Sequence, residues 1–126
     1  GSGNFTLKNA AGVVIAAFSL QDHDLQGSFT VKYTNGKPMV TTQYDAGYQQ
    51  GQRIEYYADG KIMRRETYEA GRRQGLSEGY YANGNKEFVE NYIAGNKNGT
   101  ATYFEPSGKV AASYWYYNGL PESKIN

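Results

Sequence analysis

The chain has 126 residues, including 16 glycines and 13 tyrosines, and its 13 basic and 12 acidic side chains leave a net charge of +1. Because it contains no cysteine and only one histidine, it cannot form a disulfide framework or a thiolate site, and an imidazole metal cage or a Ser-His-Asp triad is hard to assemble. The balanced charge gives no basis for bulk attraction to nucleic acid, and the longest apolar run, Val13–Phe18, is far too short to span a membrane. We therefore expect no catalytic residue, cofactor, bound metal, nucleic-acid partner or transmembrane segment.

Glycine recurs with a period of 24 residues in three series, which together contain every glycine except Gly1 and Gly79. A fixed period in this range indicates tandem repeats. We divide the chain into five units within a single domain at residues 3–119, with residues 1–2 as a cloning remnant and residues 120–126 as a tail. The units span residues 3–26, 27–50, 51–74, 75–98 and 99–122.

Taken in chain order, each unit contains two segments of residues that favour β-strands, separated by turn signals. In the second unit, Phe29–Tyr33 is followed by Asn35-Gly36, and the next segment ends at Ala46-Gly47. Asn-Gly and Asp-Gly favour a two-residue hairpin turn in which both residues have positive φ. We therefore predict a tight turn after each first strand and a wider turn after each second strand. The glycines predicted at tight turns are Gly36, Gly60, Gly84 and Gly108, and those at wider turns are Gly47, Gly71, Gly95 and Gly119.

The first unit departs from this pattern because His23 stands where the other units carry the glycine of the predicted wider turn, such as Gly47. Asp22 and Asp24 flank the imidazole, and such a group occurs in metal and acid–base sites. Three adjacent residues on a turn point in different directions, and the chain has no second histidine to complete a metal site. We therefore interpret this segment as a polar corner.

These patterns predict an all-β fold, an elongated open antiparallel meander of five tandem β-hairpin repeats in a single-layer twisted sheet of up to ten strands. An isolated hairpin is marginally stable in water, so the units must stack on one another. Tyrosines recur at equivalent positions, and we expect their rings to lie beside each other, with aromatic residues on one face of the sheet and charged residues on the other. Two of these series are Tyr44, Tyr68, Tyr92 and Tyr116, and Tyr33, Tyr57 and Tyr81.

The pattern Gly-x4-Tyr-Tyr-x-Asn/Asp-Gly-Lys-x6-Tyr-x-x-Gly closely resembles the bacterial variant of the MORN (membrane occupation and recognition nexus) repeat. Residues 51–71 and 75–95 carry the best resemblance, whereas the last unit departs at Glu105-Pro106-Ser107 and the first lacks the tyrosines. The resemblance implies an open, twisted sheet of consecutive hairpins with one grooved face. It also implies a bacterial setting, in the envelope, periplasm or cytoplasm, as in YwqK-like antitoxins or envelope modules.

A thin sheet must expose part of its aromatic surface, and partly exposed tyrosines favour contacts with other proteins. We therefore predict a non-catalytic module that mediates protein–protein interaction, in an antitoxin-like or envelope scaffold role. Terminal strands of an open sheet also invite pairing, so self-association through the ends is a second route to a partner. The candidate partner-binding residues are Tyr57, Tyr68, Tyr81, Tyr92, Trp115 and Tyr116.

An alternative function is the binding of anionic lipid head groups or glycan through arginines that alternate with tyrosines in the third unit. Nearby glutamates offer a simpler interpretation, because oppositely charged side chains on neighbouring strands pair with each other. Both interpretations stay open at the level of sequence. The candidate anion-binding residues are Arg53, Arg64, Arg65, Arg72 and Arg73.

Overall fold

Thirteen strands make up the computed structural model, which describes residues 1–125 and contains no helix within them. It therefore has no helix long and apolar enough to cross a membrane in the described part of the chain. In chain order the strands are β1 (Gly3–Lys8), β2 (Val14–Gln21), β3 (Asp24–Leu25), β4 (Gly27–Lys32), β5 (Pro38–Asp45), β6 (Tyr48–Tyr56), β7 (Ile62–Glu69), β8 (Arg72–Tyr80), β9 (Lys86–Ile93), β10 (Asn96–Lys97), β11 (Gly99–Phe104), β12 (Val110–Tyr117) and β13 (Leu120–Lys124).

The strands form one open antiparallel sheet in which sequence neighbours pair, with β1 and β13 at its two edges. Five hairpins, β1–β2, β4–β5, β6–β7, β8–β9 and β11–β12, correspond to the five predicted units. The predicted all-β meander is therefore confirmed. The short strands β3 and β10 pair with β2 and β9, respectively. The segment after Gly119 differs from the expected tail because Leu120–Lys124 returns beside β12, while Asn126 lies outside the described residues.

The hairpin loop after each first strand is wider than predicted. In the second unit, the amide of Tyr33 donates to the Lys37 carbonyl over 2.8 Å, and the amide of Gly36 donates to the Tyr33 carbonyl over 2.9 Å. Gly36 has a φ of 86°, whereas Asn35 is not among the residues with positive φ. This is a three-residue loop, a type I turn followed by a glycine bulge. The prediction that both turn residues have positive φ was wrong at this position.

The tight two-residue turns lie instead at the Ala-Gly corners, where wider turns were predicted. Asp45 pairs directly with Tyr48 across Ala46 and Gly47, whose φ values are 48° and 87°. These are the angles of a type I′ turn. The amide of Ala46 donates to the side-chain oxygen of Gln26 over 2.8 Å, which ties the turn to the preceding unit. The same bond recurs between Ala70 and Gln50 and between Ala94 and Gln74.

His23 occupies the second position of the corresponding turn in the first unit, where its φ is 72°. Replacing His23 with glycine is expected to stabilise the fold by about 0.5–1 kcal/mol, because glycine adopts this conformation without a steric penalty. Thermal and urea unfolding of the variant would measure the gain. The converse change, Gly47→His, is expected to destabilise, and a His23→Gly variant less stable than the wild type would contradict the assigned turn.

The register of the strands places one row of side chains straight across the sheet. We call the face that carries this row the front face, and the opposite face the back face. All of the buried side chains among the described residues lie on the front face, at or next to this row. The sheet therefore has a core one side chain deep. The row contains Phe5, Phe18, Phe29, Thr42, Arg53, Glu66, Ser77, Glu90, Ala101 and Tyr114. The buried side chains are those of Ala16, Thr42, Glu66, Ser77, Glu90, Tyr92 and Ala101.

Aromatic and charged side chains share the front face, so the prediction of one aromatic and one charged face was wrong. Arg53 and Glu66 pair across β6 and β7 on the same face as the stacked rings of Phe5, Phe18 and Phe29. Small residues in the central row leave room for long charged side chains to lie over them, and opposite charges there neutralise each other.

The tyrosines at 24-residue spacing do not stack on one another as expected. Equivalent residues lie two strands apart, about 10 Å, which exceeds ring contact. Each ring is paired instead with the glycine opposite it in its own hairpin, as in Gly51 with Tyr68 and Gly75 with Tyr92. Aromatic stacking is found at the first hairpins, where the Phe18 ring lies 5.5 Å from Phe5 and 5.1 Å from Phe29.

A second tyrosine series bonds consecutive units together. The hydroxyl of Tyr57 donates to the main-chain carbonyl of Tyr80, and that of Tyr33 donates to the carbonyl of Tyr56, both over 2.6 Å. Tyr81 makes the same bond to the carbonyl of Phe104. These hydroxyls bridge one hairpin loop to the next and fix the spacing of the units along this side of the sheet.

Replacing Tyr57 with phenylalanine is expected to reduce the free energy of unfolding by about 0.5–1.5 kcal/mol, because it removes one bridging bond and leaves the Tyr80 carbonyl without that donor. Urea unfolding of the two proteins would measure the change. The matched control is Tyr117→Phe, whose side chain is 59% exposed and for which we expect no measurable loss. Equal losses in both variants would contradict the bridging role.

Candidate functional site

The most elaborate group of polar side chains is built around two buried glutamates at equivalent positions of the third and fourth units. Glu66 is only 2% exposed. Its Oε2 accepts hydrogen bonds from the Tyr68 hydroxyl over 2.8 Å and from the Arg73 Nε over 3.2 Å. Arg64 approaches the other carboxylate oxygen at 3.8 Å. We call these four side chains the Glu66 cluster, in which the buried negative charge is matched by two guanidinium groups.

The Glu90 cluster repeats this arrangement one unit later. Glu90 accepts from the Tyr92 hydroxyl over 3.1 Å, from Lys97 over 2.9 Å and from the Tyr103 hydroxyl over 2.6 Å. Burial raises the pKa of Glu90, but the bonds from Lys97 and Tyr103 outweigh it and hold the pKa below its ordinary value. Burial and the neighbouring carboxylate raise the pKa of Tyr103.

The cations of the two clusters also lie between the recurrent tyrosines. The Arg73 guanidinium lies over the Tyr92 ring, 5.1 Å from its centre, and donates to the Tyr92 hydroxyl over 3.1 Å. Lys97 lies 5.0 Å from the centre of the Tyr116 ring. Tyrosine and cation therefore alternate across the front face, and each cation–π contact links one unit to the next.

Acidification is expected to weaken the Glu90 cluster. The pKa of Glu90 in the folded state lies below its ordinary value of 4.5. Ionised Glu90 therefore contributes stability that is fully present above the unfolded-state pKa and is lost as the pH falls through the folded-state pKa. We expect Glu90→Gln to cost about 1–2 kcal/mol near neutral pH and progressively less in acid. Urea unfolding of both proteins at about pH 7 and pH 3 tests this, and a difference that does not shrink in acid would contradict it.

The contacts within the two clusters connect side chains of neighbouring strands to one another. Burial raises the pKa of Tyr68 and of Tyr92, so both phenols stay protonated, whereas a phenol that acts as a nucleophile needs a lowered pKa. Across the described residues, no group of three or more metal-ligating side chains is placed to hold an ion. The arrangement can therefore hold strands together.

The six predicted partner-binding residues do not share one surface. Tyr68, Tyr92 and Tyr116 lie on the front face, and Tyr92 is only 6% exposed. Tyr57 and Tyr81 lie at the hairpin loops, where their hydroxyls bond to the next unit. Trp115 points to the back face and is 45% exposed. Most of this set thus contributes to the structure of the sheet itself.

The five predicted anion-binding arginines are also divided between the faces. Arg53 pairs with Glu55, and Arg73 pairs with Glu66, both on the front face. Arg64 joins the Glu66 cluster and lies 5.4 Å from the centre of the Phe88 ring. Arg65 and Arg72 lie on the back face, and neither has an ion pair with a residue that the structure describes. The front-face arginines are therefore neutralised.

An exposed apolar surface on the back face, in the C-terminal half of the sheet, was not predicted from the sequence, although one of its residues, Trp115, was predicted to bind a partner. Five large apolar side chains lie there on strands β8, β9, β12 and β13. Comparing equivalent positions between units would have revealed it, because Ser19, Gln43, Thr67 and Asn91 correspond to Trp115. We call this surface the C-terminal patch. It comprises Leu76, Ile93, Trp115, Tyr117 and Leu120.

Two stretches of the chain match a protein-family model, that of the MORN repeat variant. The matches cover residues 49–70 and 73–94, so each begins two residues before a unit. They contain Glu66 with Tyr68 and Glu90 with Tyr92, which are the centres of the two clusters. No curated protein matches the chain. The central units of this hairpin stack are therefore similar to the MORN repeat variant.

Proposed function

We propose that the chain is a non-catalytic repeat module that binds another protein through its C-terminal patch. The supporting observation is that the patch exposes large apolar side chains at positions where other units carry polar ones. Trp115 is 45% exposed and Tyr117 is 59% exposed, and Tyr117 corresponds to Gln21, Asp45 and Glu69 in the first three units and to Ile93, another patch residue, in the fourth. The fold therefore does not require apolar residues at these positions.

The patch has the composition of a protein interface. Tyr117 and Leu120 are paired on neighbouring strands, and Trp115 lies two residues before Tyr117 on the same face. Tryptophan and tyrosine are enriched among the residues that contribute most to binding, because they bury a large area at a small cost in conformational entropy. A role as a bacterial antitoxin or as an envelope scaffold is consistent with such a module, and it is part of this proposal.

A capture experiment with a matched control tests the patch. The immobilised chain is compared with Trp115→Gln/Tyr117→Glu, which introduces residues that other units carry at these positions. The control is Thr67→Gln, at the position equivalent to Trp115 but outside the patch. We expect a partner from the native host to be retained by the wild type and by Thr67→Gln and to be lost by the double variant. Equal retention by all three, or no retention by the wild type, would contradict the proposal.

Self-association through the sheet edges is a related route to a protein partner. All residues of β1 are exposed, and its outer edge has no strand beside it among the described residues. Unpaired edges favour the addition of another strand. Light scattering after size exclusion over a range of concentrations would detect a dimer, and Thr6→Pro in β1 should abolish one that forms through this edge. A monomer at high concentration would contradict this route.

The second candidate function is binding to anionic lipid head groups or glycan. The observation that favours it is the pair of back-face arginines, Arg65 and Arg72, without ion pairs in the described part of the chain. Co-sedimentation with anionic vesicles at low and high salt tests it, with Arg65→Thr/Arg72→Asn as the variant. These replacements are the residues Thr41 and Asn96 of neighbouring units. Binding that is absent, insensitive to salt or unchanged in the variant would contradict this function.

A further inference from the structure

A cleft of about 270 Å³ lies between the hairpin loops of the third and fourth units. It is lined by Lys61, Ile62, Arg65, Tyr80 and Gly84. Ile62 and Tyr80 supply apolar surface, and the two cations supply the charge. A Cβ added at Gly84 would meet nothing within 4 Å, so this side of the cleft is open. The cleft shares no residue with the C-terminal patch.

Arg65 stands out among the arginines of the sheet. Its Nε is buried and has no hydrogen-bond partner among the residues that the structure describes. Glu78 lies opposite Arg65 on the neighbouring strand, but its carboxylate bonds to Lys86 over 3.3 Å and to the Tyr80 hydroxyl over 3.1 Å. The cleft therefore presents positive charge that no carboxylate of the described chain neutralises by direct contact.

Comparison between units shows that the fold does not need an arginine at this position. Thr41 and Val89 occupy the equivalent position in the second and fourth units, within the same kind of hairpin. A buried guanidinium nitrogen without a partner destabilises the folded state, because it has lost its hydration. A residue that is unnecessary and unfavourable for folding is best explained by binding, with an anion as the missing partner.

We propose that this cleft binds an aromatic carboxylate. The carboxylate would pair with Lys61 and Arg65, and its ring would lie against Tyr80 and Ile62. A planar carboxylate matches the fork of a guanidinium group, and an aromatic ring matches the apolar lining. The ligand can be a free aromatic acid or the C-terminus of a peptide that ends in an aromatic residue, since both present the same chemistry.

Nuclear magnetic resonance of the nitrogen-15-labelled chain tests this inference directly. Phenylacetate is the probe, and phenylacetamide, which has the same ring but no charge, is its matched control. We expect phenylacetate to shift the Arg65 Nε–H signal and the Gly84 amide signal, and phenylacetamide to shift neither. The absence of a shift with phenylacetate, or equal shifts with both compounds, would overturn the inference.

The variant Arg65→Thr introduces the residue that the second unit carries at the equivalent position, Thr41, so we expect it to fold. Unchanged amide signals outside the cleft would verify that it does. We expect it to weaken phenylacetate binding at least about tenfold, as the loss of a charge-assisted pair implies. The control Arg72→Asn, outside the cleft, should bind as the wild type does. Binding by Arg65→Thr equal to that of the wild type would overturn the inference.

A second pair of probes distinguishes the two sources of the ligand. N-acetyl-Gly-Gly-Phe carries a free C-terminal carboxylate, and its C-terminal amide is the control. Shifts with the free peptide and not with its amide would support recognition of a peptide C-terminus, and shifts with phenylacetate alone would support a free acid. These probes contain no protein partner, so a negative result would overturn the cleft proposal only. The capture experiment tests the C-terminal patch separately.

Discussion

Replacing Glu66 with threonine and Arg73 with glutamine together is expected to destabilise the chain less than the two single replacements predict in sum. Glu66→Thr alone removes the acceptor of Tyr68 and the counter-charge of Arg73. We expect it to cost about 2–3 kcal/mol, below the loss typical of a fully buried ion pair because Arg73 is 37% exposed and water reaches it.

Arg73→Gln alone leaves the buried Glu66 with the Tyr68 hydroxyl and the more distant Arg64. We expect a loss of about 1–2 kcal/mol, because the carboxylate loses its closest cation and Tyr92 loses the guanidinium over its ring.

The double variant reproduces the residues of the second unit, in which Thr42, Tyr44 and Gln49 occupy the positions of Glu66, Tyr68 and Arg73. That unit forms the same hairpin without charge in its central row. A double-mutant cycle measured by urea unfolding should therefore give a coupling of at least about 1 kcal/mol. Additive losses would contradict direct coupling of the two side chains in the Glu66 cluster.

Replacing Gly79 with valine is expected to be strongly destabilising, although Gly79 lies outside the three glycine series. Gly79 is paired with Phe88, and a Cβ at position 79 would lie 2.2 Å from the Phe88 ring. The ring covers the glycine, so any side chain there must displace it. We expect a loss of about 1–3 kcal/mol from this overpacking.

The same pair of positions holds different residues in other units, and their sizes compensate. Val31 pairs with Val40 in the second unit, and Tyr103 pairs with Ala112 in the fifth. The double variant Gly79→Val/Phe88→Val reproduces the first combination. We expect it to recover most of the stability that Gly79→Val loses, because the added side chain then fills the space that the ring leaves. Thermal unfolding of the two variants tests this, and a double variant no more stable than Gly79→Val would contradict the packing.

The repeat and its hairpins could be predicted from the sequence because recurrent glycines indicate where the backbone adopts a positive φ. Fourteen glycines have positive φ, and Gly79 is not among them. The turn types could not be predicted, because Ala46 adopts a positive φ only in a turn held by Gln26 and by the Leu25 carbonyl of the preceding unit. Such contacts between units are invisible to local turn preferences.

The roles of the tyrosines depended on register, which the sequence alone does not specify. The spacing placed Tyr68 and Tyr92 at equivalent positions, but it did not show that Arg73 lies between them. The C-terminal patch could have been found from the sequence, because Trp115 replaces a polar residue of all four other units and Tyr117 replaces a polar residue of the first three. The cleft at Arg65 needed the structure, since the missing hydrogen-bond partner is a property of three-dimensional contacts.

The central claim is that the recurrent tyrosines contribute to the structure of the sheet, whereas the C-terminal patch faces solvent. Hydroxyl-radical footprinting of the free chain, with the oxidation of each residue measured by mass spectrometry, tests this claim most directly. Each residue is compared with its own oxidation rate in the urea-unfolded chain. We predict strong protection of Tyr92, which is 6% exposed, and oxidation of Trp115 and Tyr117 at rates close to those of the unfolded chain. Oxidation of Tyr92 as rapid as that of Tyr117, or protection of Trp115, would contradict this account.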